Sequence, residues 1–298
     1  ILGLLSAKVN GENAIQKFVL IGDHKQLPAV VQLPENQTMV EVKELHQIGL
    51  FNLRNSLFER LHWLEKNHDR SNFVGLLNHQ GRMHSDIAQF VNAKFYDGKL
   101  CVVPLPHQIE KLDWQHTDNI YEQFVAQTRI GFVRIAQLKN TDNLCVNIPE
   151  ASAITKIIEA ICTLHSKNAL ENFEPAKQIG IIVPFRSQIS AIRNSLRKQG
   201  LACADTITID TVECYQGSQR DYILYSTTIS EPYQVHIISN LQEIDGNIVD
   251  RKLNVALTRA RKQLFIFGNP EILRNSPLYS DLMSYCRHLD MMSTSLIE

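Results

Sequence analysis

The chain has 298 residues, 44% of them hydrophobic and 20% charged, a globular composition that excludes a disordered chain, a collagen-like fibre and a coiled coil. At about 100–200 residues per domain this is one large domain or two small ones. Lys plus Arg is 30 and Asp plus Glu is 31, for a net charge of −1, so any nucleic-acid contact must come from a local groove rather than a global basic field.

Short β-rich runs alternate with helical stretches, which predicts an α/β protein with a mostly parallel sheet. The first predicted strand, Phe18–Ile21, runs straight into Gly22-Asp23-His24-Lys25-Gln26-Leu27-Pro28. A strand that ends in Gly-Asp sets polar side chains at the carboxyl edge of a parallel sheet, where α/β proteins bind ligands. Gln26 can donate and accept hydrogen bonds, so it suits a phosphate or a water. Taken alone, the segment reads as turn chemistry. Residues 34–49 are polar with little periodicity and read as a linker, followed by a predicted helix over Asn52–Leu64. A second predicted strand, Val74–Leu77, precedes Gln80-Gly81-Arg82-Met83-His84 and a helix over His84–Phe95. Arg82 carries a planar fork of donors suited to phosphate, although an isolated arginine usually lies in a solvated loop. Leu100–Arg129 carries Pro104, Pro106, Trp114 and Tyr121 without clear period and is expected to be a surface insertion.

Strand Gly131–Ile135 and helix Pro149–Leu164 lead to strand Ile179–Val183 and helix Arg186–Lys198. Between these last two lie Pro184 and Phe185, with Arg186 opening the helix and Gln188 within it. An aromatic at a sheet edge can stack a base, and more often it is the lid of the core. Strands Ile207–Asp210 and Tyr222–Thr227 enclose Thr211-Val212-Glu213-Cys214-Tyr215-Gln216-Gly217-Ser218-Gln219-Arg220-Asp221. Gln216-Gly217 offers a flexible turn with a side-chain amide and backbone N–H groups suited to phosphate or sugar; by itself it reads as a polar loop. Asp250 suits the N-cap of a helix over Arg251–Arg261, with Leu253, Ala256, Leu257, Ala260 and Leu264 on one core face. At about 100° per residue, Arg259 and Arg261 lie roughly 160° apart and flank that stripe on different sides. Strand Leu264–Phe267 and helix Pro277–Arg287 complete the pattern.

The six cysteines, Cys101, Cys145, Cys162, Cys203, Cys214 and Cys286, form no Cys-x-x-Cys pair, which argues against a zinc ribbon or thioredoxin-type site and suits a reducing, cytoplasmic setting. The longest apolar run, residues 179–185, falls far short of the roughly 20 residues of a membrane span. The chain opens on Ile1 and is expected to be part of something longer.

Singly these segments are weak; together and in this order they resemble superfamily 1 helicases of the nonsense-mediated-decay helicase and senataxin type. Gly22–Pro28 looks like their motif III, and Gln80–His84, continuing to Phe95-Tyr96-Asp97-Gly98, like the motif containing Gln-Tyr-Arg-Met-His. Ile179–Gln188 is similar to the strand-loop-helix with Thr-Pro-Tyr, Thr211–Asp221 to motif V and Arg251–Arg261 to motif VI. The resemblance implies three-layer α/β P-loop NTPase (RecA-like) domains. Residues 1–35 would be the end of a first domain, 36–70 a linker with a helix, and 71–298 a second domain with an insertion at 100–129.

It further implies an ATP-dependent motor, a monomer, with ATP and Mg²⁺ between two such domains and single-stranded DNA or RNA across their top. Carried over, Asp23 and Gln26 would face the nucleotide, with Gln26 at the γ-phosphate. Arg82 and Arg259 would be arginine fingers, Gln216 and Gly217 would sit between nucleotide and nucleic acid, and Pro184, Phe185, Arg186 and Thr211 would lie near the strand. The family usually has Tyr where Gly81 stands, which packs on adenine, often Glu where Gln219 stands, which touches ribose, and frequently Pro where Ala29 stands. A Gly-x-x-x-x-Gly-Lys-Ser/Thr loop and an Asp-Glu pair after an apolar strand are absent from the sequence, so the phosphate cradle and Mg²⁺ ligands are expected upstream. The alternative reading is a non-catalytic RecA-like module that binds nucleic acid or a partner.

Overall fold

The computed structural model describes residues 6–68, 71–136, 144–168 and 172–291, so Ile1 lies outside the described residues. The chain forms two compact units, Ile1–Leu76 and Leu77–Glu298.

The first unit holds little regular structure. Two-residue strands β1 (Lys8–Val9) and β2 (Glu12–Asn13) pair around Asn10 and Gly11, both at positive φ. The segment read as a linker contains a 3₁₀ turn over Glu35–Gln37 and the one-turn helix α1 (Lys43–His46). Helix α2 (Leu57–Asn67) starts later than the periodicity suggests, because Ser56 accepts from Glu59 N while Glu59 accepts from Ser56 N. That reciprocal capping box fixes the first turn there. Phe18–Ile21 and Val74–Leu77 are not strands. Both are extended, but Val19, Ile21 and Leu77 are at least 80% exposed, and neither segment enters a ladder among the described residues. Apolar β-branched composition makes a strand only where a partner satisfies the backbone.

The second unit is organised by six strands that run parallel in the spatial order β12 (Arg287–Asp290), β5 (Ile130–Arg134), β11 (Ala260–Gly268), β8 (Arg220–Ser226), β6 (Ile179–Val183) and β7 (Thr208–Thr211). Ahead of them, β3 (His79–Gln80) pairs with β4 (Cys101–Val102), flanking α3 (Ser85–Phe95), which His84 caps. Residues 100–129 are not a surface insertion. They hold α4 (Pro106–Ile109) and α5 (Ile120–Gln127), and Phe124, Val125 and Ala126 join the main core. No single apolar stripe marks this stretch, because its helices are too short to show one. β5 (Ile130–Arg134), α6 (Ile148–Lys167), β6 (Ile179–Val183), α8 (Arg186–Lys198), β7 (Thr208–Thr211) and β8 (Arg220–Ser226) lie close to the predicted positions, and an unpredicted one-turn helix, α7 (Pro175–Gln178), precedes β6.

β6 is buried at every residue, as expected of a strand covered on both faces. α5, α6 and α8 cover one face; α8 turns Gln188, Ile192 and Leu196 inward at four-residue spacing. A short α9 (Val235–Ile238) precedes a hairpin of β9 (Leu241–Ile244) and β10 (Asn247–Asp250), which turns at Asp245-Gly246, both at positive φ. Asp-Gly is a residue pair that favours this tight hairpin turn.

Helix α10 (Arg251–Leu257) ends four residues earlier than predicted, and β11 begins at Ala260 and runs to Gly268. Thr258 caps the helix with its hydroxyl on Asn254 O and Val255 O, and Arg259 O accepts from Arg220 N at the mouth of the β8–β11 ladder. The ladder overrides the helical periodicity of residues 251–261. Arg259 and Arg261 therefore do not flank a helix; one lies in a turn and the other in a strand. α11 (Pro270–Leu273), α12 (Pro277–Tyr285) and edge strand β12 (Arg287–Asp290) close the fold.

At the carboxyl edge of β8, Glu150 of α6 is fully buried and receives Thr228 N, at 2.9 and 3.1 Å to its two oxygens, and Ser226 Oγ at 2.5 Å. Asn147 caps the helix above it, and Gln188 donates to Asn147 O and accepts from Asn147 N. Burial pushes the Glu150 carboxyl up from 4.5 to about 8, with the hydrogen bonds from Ser226, Thr228 and Thr227 opposing it. The folded chain then holds a proton that the unfolded chain releases across that interval. The stability this gives is complete below pH 4.5 and is lost as pH rises through about 8. We expect Glu150→Gln, which stays neutral, to flatten the fall in unfolding free energy between about pH 5 and pH 8 in urea titrations; an unchanged slope would place the carboxyl elsewhere on the pH scale.

Candidate functional site

Three sequence segments converge at the amino edge of β8 and β11. The strands run side by side, Ala260 opposite Arg220, so the residues that precede them, Ser218-Gln219 and Thr258-Arg259, are neighbours. The turn after β3 is tied to the same place, because His84 N donates to Arg261 O at 2.7 Å.

Arg82 sits in that turn on a braced backbone. Gln80 Oε1 accepts from Arg82 N (3.0 Å) and Met83 N (2.8 Å), and Gln80 Nε2 donates to Met83 O (3.0 Å). Gln108 of α4, fully buried, donates to Gln80 O and Met83 O. From this base the half-buried Arg82 side chain reaches outward. Its Nε donates to Gln219 Oε1 at 3.0 Å and its Nη1 to Thr258 O at 3.1 Å. Both acceptors are neutral, and among the described residues no carboxylate pairs with Arg82. Burial lowers its pKa from the ordinary value, the direction expected of a cation without a nearby anion.

Arg259 is 2% exposed and points inward. Its Nε donates to Val255 O (3.0 Å), Nη1 to Ser218 O (3.3 Å) and Nη2 to Thr258 Oγ1 (3.0 Å). Arg261 has a different partner: it pairs with the buried Asp221 at 2.8 Å, whose other oxygen accepts from Gln178 Nε2 at 3.0 Å. Arg261 is thus committed to an ion pair with a strand neighbour, while Arg82 and Arg259 share Thr258 and the Ser218-Gln219 dipeptide.

Gln216 and Gly217 are exposed in the turn before Ser218, where Gly217 has φ +80°. The segment is anchored by Tyr215, whose hydroxyl donates to Thr208 O at 2.7 Å. Gly180 makes room for it, since a Cβ there would lie 2.7 Å from the Tyr215 hydroxyl. Gly81, where the resembling family has Tyr, is exposed, and a Cβ there would meet Leu105 at 3.4 Å, an ordinary contact. Packing does not forbid a side chain at that position.

Pro184, Phe185, Arg186 and Thr211 gather at the opposite, carboxyl edge. Val183 and Thr211 are register partners at the ends of β6 and β7, so the turn 184–186 lies beside Thr211. Pro184, Phe185 and Thr211 are half-buried and Arg186 is exposed.

In the first unit, Asp23 and Gln26 lie in a tight turn: Gln26 N donates to Asp23 O, Gln26 Nε2 to Asp23 Oδ2 at 2.8 Å and Lys25 N to Asp23 Oδ1 at 3.0 Å. The turn lines a cavity with Ser56, Phe58 and Glu59 of the α2 start. His24 stacks on His62, ring centroids 4.7 Å apart, and Gly22 lets Phe58 approach, with a Cβ there only 3.1 Å from its ring.

The sequence reading missed the acceptors. Thr258, Ser218 and Gln80 stand inside the quoted motifs, but the Thr258 and Ser218 backbone carbonyls leave no mark in a sequence, and the Gln80 amide gives no sign there of which backbone it braces. Gln108 lies in a stretch read as an insertion. Among the described residues, no group of three His, Cys, Asp or Glu could hold a metal ion, and no helix is long and apolar enough to cross a membrane.

Comparison with known proteins identifies the family of the chain. The family described as AAA domain matches residues 53–271. The chain is 31% identical over 284 residues to Helicase sen1 of Schizosaccharomyces pombe, covering 95% of this chain and 14% of that protein. It is 30% identical over 284 residues to Regulator of nonsense transcripts 1 of Dictyostelium discoideum, covering 93% of this chain and 18% of that protein. It is 28% identical over 268 residues to DNA polymerase alpha-associated DNA helicase A of Saccharomyces cerevisiae, covering 88% of this chain and 35% of that protein. The chain therefore spans between a seventh and about a third of the length of these relatives. Its match to the AAA domain and the order of its motifs on a parallel RecA-like sheet place it in the superfamily 1 helicases of the nonsense-mediated-decay helicase and senataxin type.

Proposed function

We propose that the chain is the carboxyl-terminal motor portion of an ATP-dependent helicase or translocase that acts on single-stranded DNA or RNA. Residues 1–35 would close a first RecA-like domain, 36–70 link it to the next, and 71–298 form the second. One observation carries the reading: Arg82 is braced by Gln80 and Gln108, half-buried, and among the described residues bonded only to neutral acceptors. A guanidinium held in that way suits an anionic group brought to it. In phosphoryl transfer, charge builds on the γ-phosphoryl oxygens, and a fixed guanidinium stabilises it.

In this reading Arg82 and Arg259 are the arginine fingers. Arg259 would exchange its bond to Ser218 O for a phosphate oxygen, which the turn at Gly217 makes room for. Gln26, oriented by Asp23, would contact the γ-phosphate, and Gln216 and Gly217 would lie near the nucleotide. The phosphate cradle and the Mg²⁺ ligands would come from another segment of the same protein. The nucleic acid would cross the carboxyl edge at Pro184, Phe185, Arg186 and Thr211.

In the full-length protein we expect Arg82→Ala to lower kcat by about 10³-fold or more with little change in Tm, as for other arginine-finger losses. Arg261→Ala should do the reverse: kcat within a few-fold of the parent, and stability lower by about 1–3 kcal/mol because Asp221 is left buried without its cation. Steady-state ATPase assays and urea unfolding of both variants decide this; equal losses of turnover would overturn it.

Single-strand binding, titrated at several salt concentrations, should lose about 0.7 from its log–log salt slope in Arg186→Ala, one phosphate contact's worth. Phe185→Ala should weaken binding by roughly 1–3 kcal/mol with the slope unchanged, since stacking releases no counterion. No effect of either substitution would move the strand away from this edge.

A further inference from the structure

Gln219 occupies a position whose chemistry in the resembling family is a ribose contact, yet here its amide oxygen is turned onto Arg82 Nε at 3.0 Å. The second bond to that guanidinium comes from Thr258 O at 3.1 Å. The same two places hold the other arginine: Ser218 O accepts from Arg259 Nη1 and Thr258 Oγ1 from Arg259 Nη2. So one dipeptide, Ser218-Gln219, and one residue, Thr258, each bind both guanidinium groups. The dipeptide is itself anchored: Ser218 Oγ and N donate to Tyr215 O, and Arg220 N donates to Arg259 O.

We propose that Gln219 is a positioning residue for Arg82, holding the guanidinium at the mouth of β8 and β11 in register with Arg259. The inference rests on the reading of Arg82 as a phosphate-contacting arginine. Its physical basis is preorganisation. An arginine side chain loses rotamer entropy when fixed, and a bond formed before the nucleotide arrives removes that loss from the transition state. A neutral amide suits the task, because its oxygen orients the guanidinium without the charge that would compete with a phosphate.

The test is a double-mutant cycle in the full-length protein, with ATP and 2′,3′-dideoxyATP as substrates in single-turnover and steady-state assays. We expect Gln219→Ala to lower kcat about tenfold with KM for ATP nearly unchanged, and to cost nothing further when added to Arg82→Ala. The tenfold loss should be the same with dideoxyATP. Gln219→Glu keeps an acceptor in place, so kcat should recover to within about twofold while KM for ATP rises, the carboxylate now competing for the cation. Gln219 is exposed, so neither substitution threatens the fold. If Gln219→Ala still costs tenfold on top of Arg82→Ala, or its effect vanishes with dideoxyATP, Gln219 serves the ribose and the inference falls while the arginine reading stands. If Arg82→Ala leaves turnover intact, the arginine reading falls and takes the inference with it.

Discussion

Two guanidinium groups tie together three turns at the amino edge of the sheet, those at Arg82, Ser218-Gln219 and Thr258-Arg259. Arg259 ties the end of α10 to the Ser218 carbonyl, and Arg82 ties the turn after β3 to Gln219 and to the Thr258 carbonyl. A backbone carbonyl is a demanding partner for an arginine, because its position is set by the loop rather than by a rotamer. The bonds therefore fix the loops to one another as much as they fix the arginines. Removing the buried Arg259 guanidinium would leave the Ser218 carbonyl without that donor, a cost that falls on the geometry of the Ser218-Gln219 turn.

The proposed nucleotide and nucleic-acid faces lie at opposite ends of parallel strands, and one short segment runs between them. The chain leaves the carboxyl end of β7 at Thr211 and must return to the amino end of β8 at Arg220, since both strands point the same way beside β6. Residues 212–219 make that return. Tyr215, buried at the middle of it, donates to Thr208 O and sits over Gly180. A shift of this segment would move Thr211 at one edge and Gln219 at the other. The segment is pinned at Val212 and Tyr215, which are buried, while Gln216, Gly217 and Gln219 are exposed.

The parallel sheet was legible where a strand is buried on both faces: Ile179–Val183 and Tyr222–Tyr225 show it as near-continuous apolar runs. The same rule misleads at Phe18–Ile21 and Val74–Leu77, where apolar residues lie exposed and extended. A run of side chains records a tendency to be covered, not which backbone covers it. Residues 251–261 failed in the opposite way. Their helical spacing is real as far as Leu257, but Thr258 closes the helix and the pairing with β8 takes over from Ala260. A ladder partner 40 residues away in sequence leaves no local trace. For the site, the residue types Gln26, Arg82 and Arg259 could be read directly, whereas the acceptors that aim the arginines could not, because most are carbonyl oxygens that every residue carries.

The contrast between Arg82 and Arg261 shows why burial and charge pairing separate a structural arginine from one suited to a ligand. Arg261 meets a buried carboxylate, and each charge offsets part of the penalty of the other's desolvation. Arg82 has given up part of its water for two neutral oxygens, which satisfy its hydrogen bonds but leave its field unscreened. A half-buried cation held in that way costs folding free energy that a carboxylate at Gln219 or Thr258 would have offset. The fold tolerates this because the turn beneath Arg82 is independently fixed by Gln80 and by the buried Gln108. The uncompensated charge is then available to an anion. On the proposed reading a γ-phosphoryl group supplies it, and binding free energy is drawn from a strain of solvation already present in the folded chain.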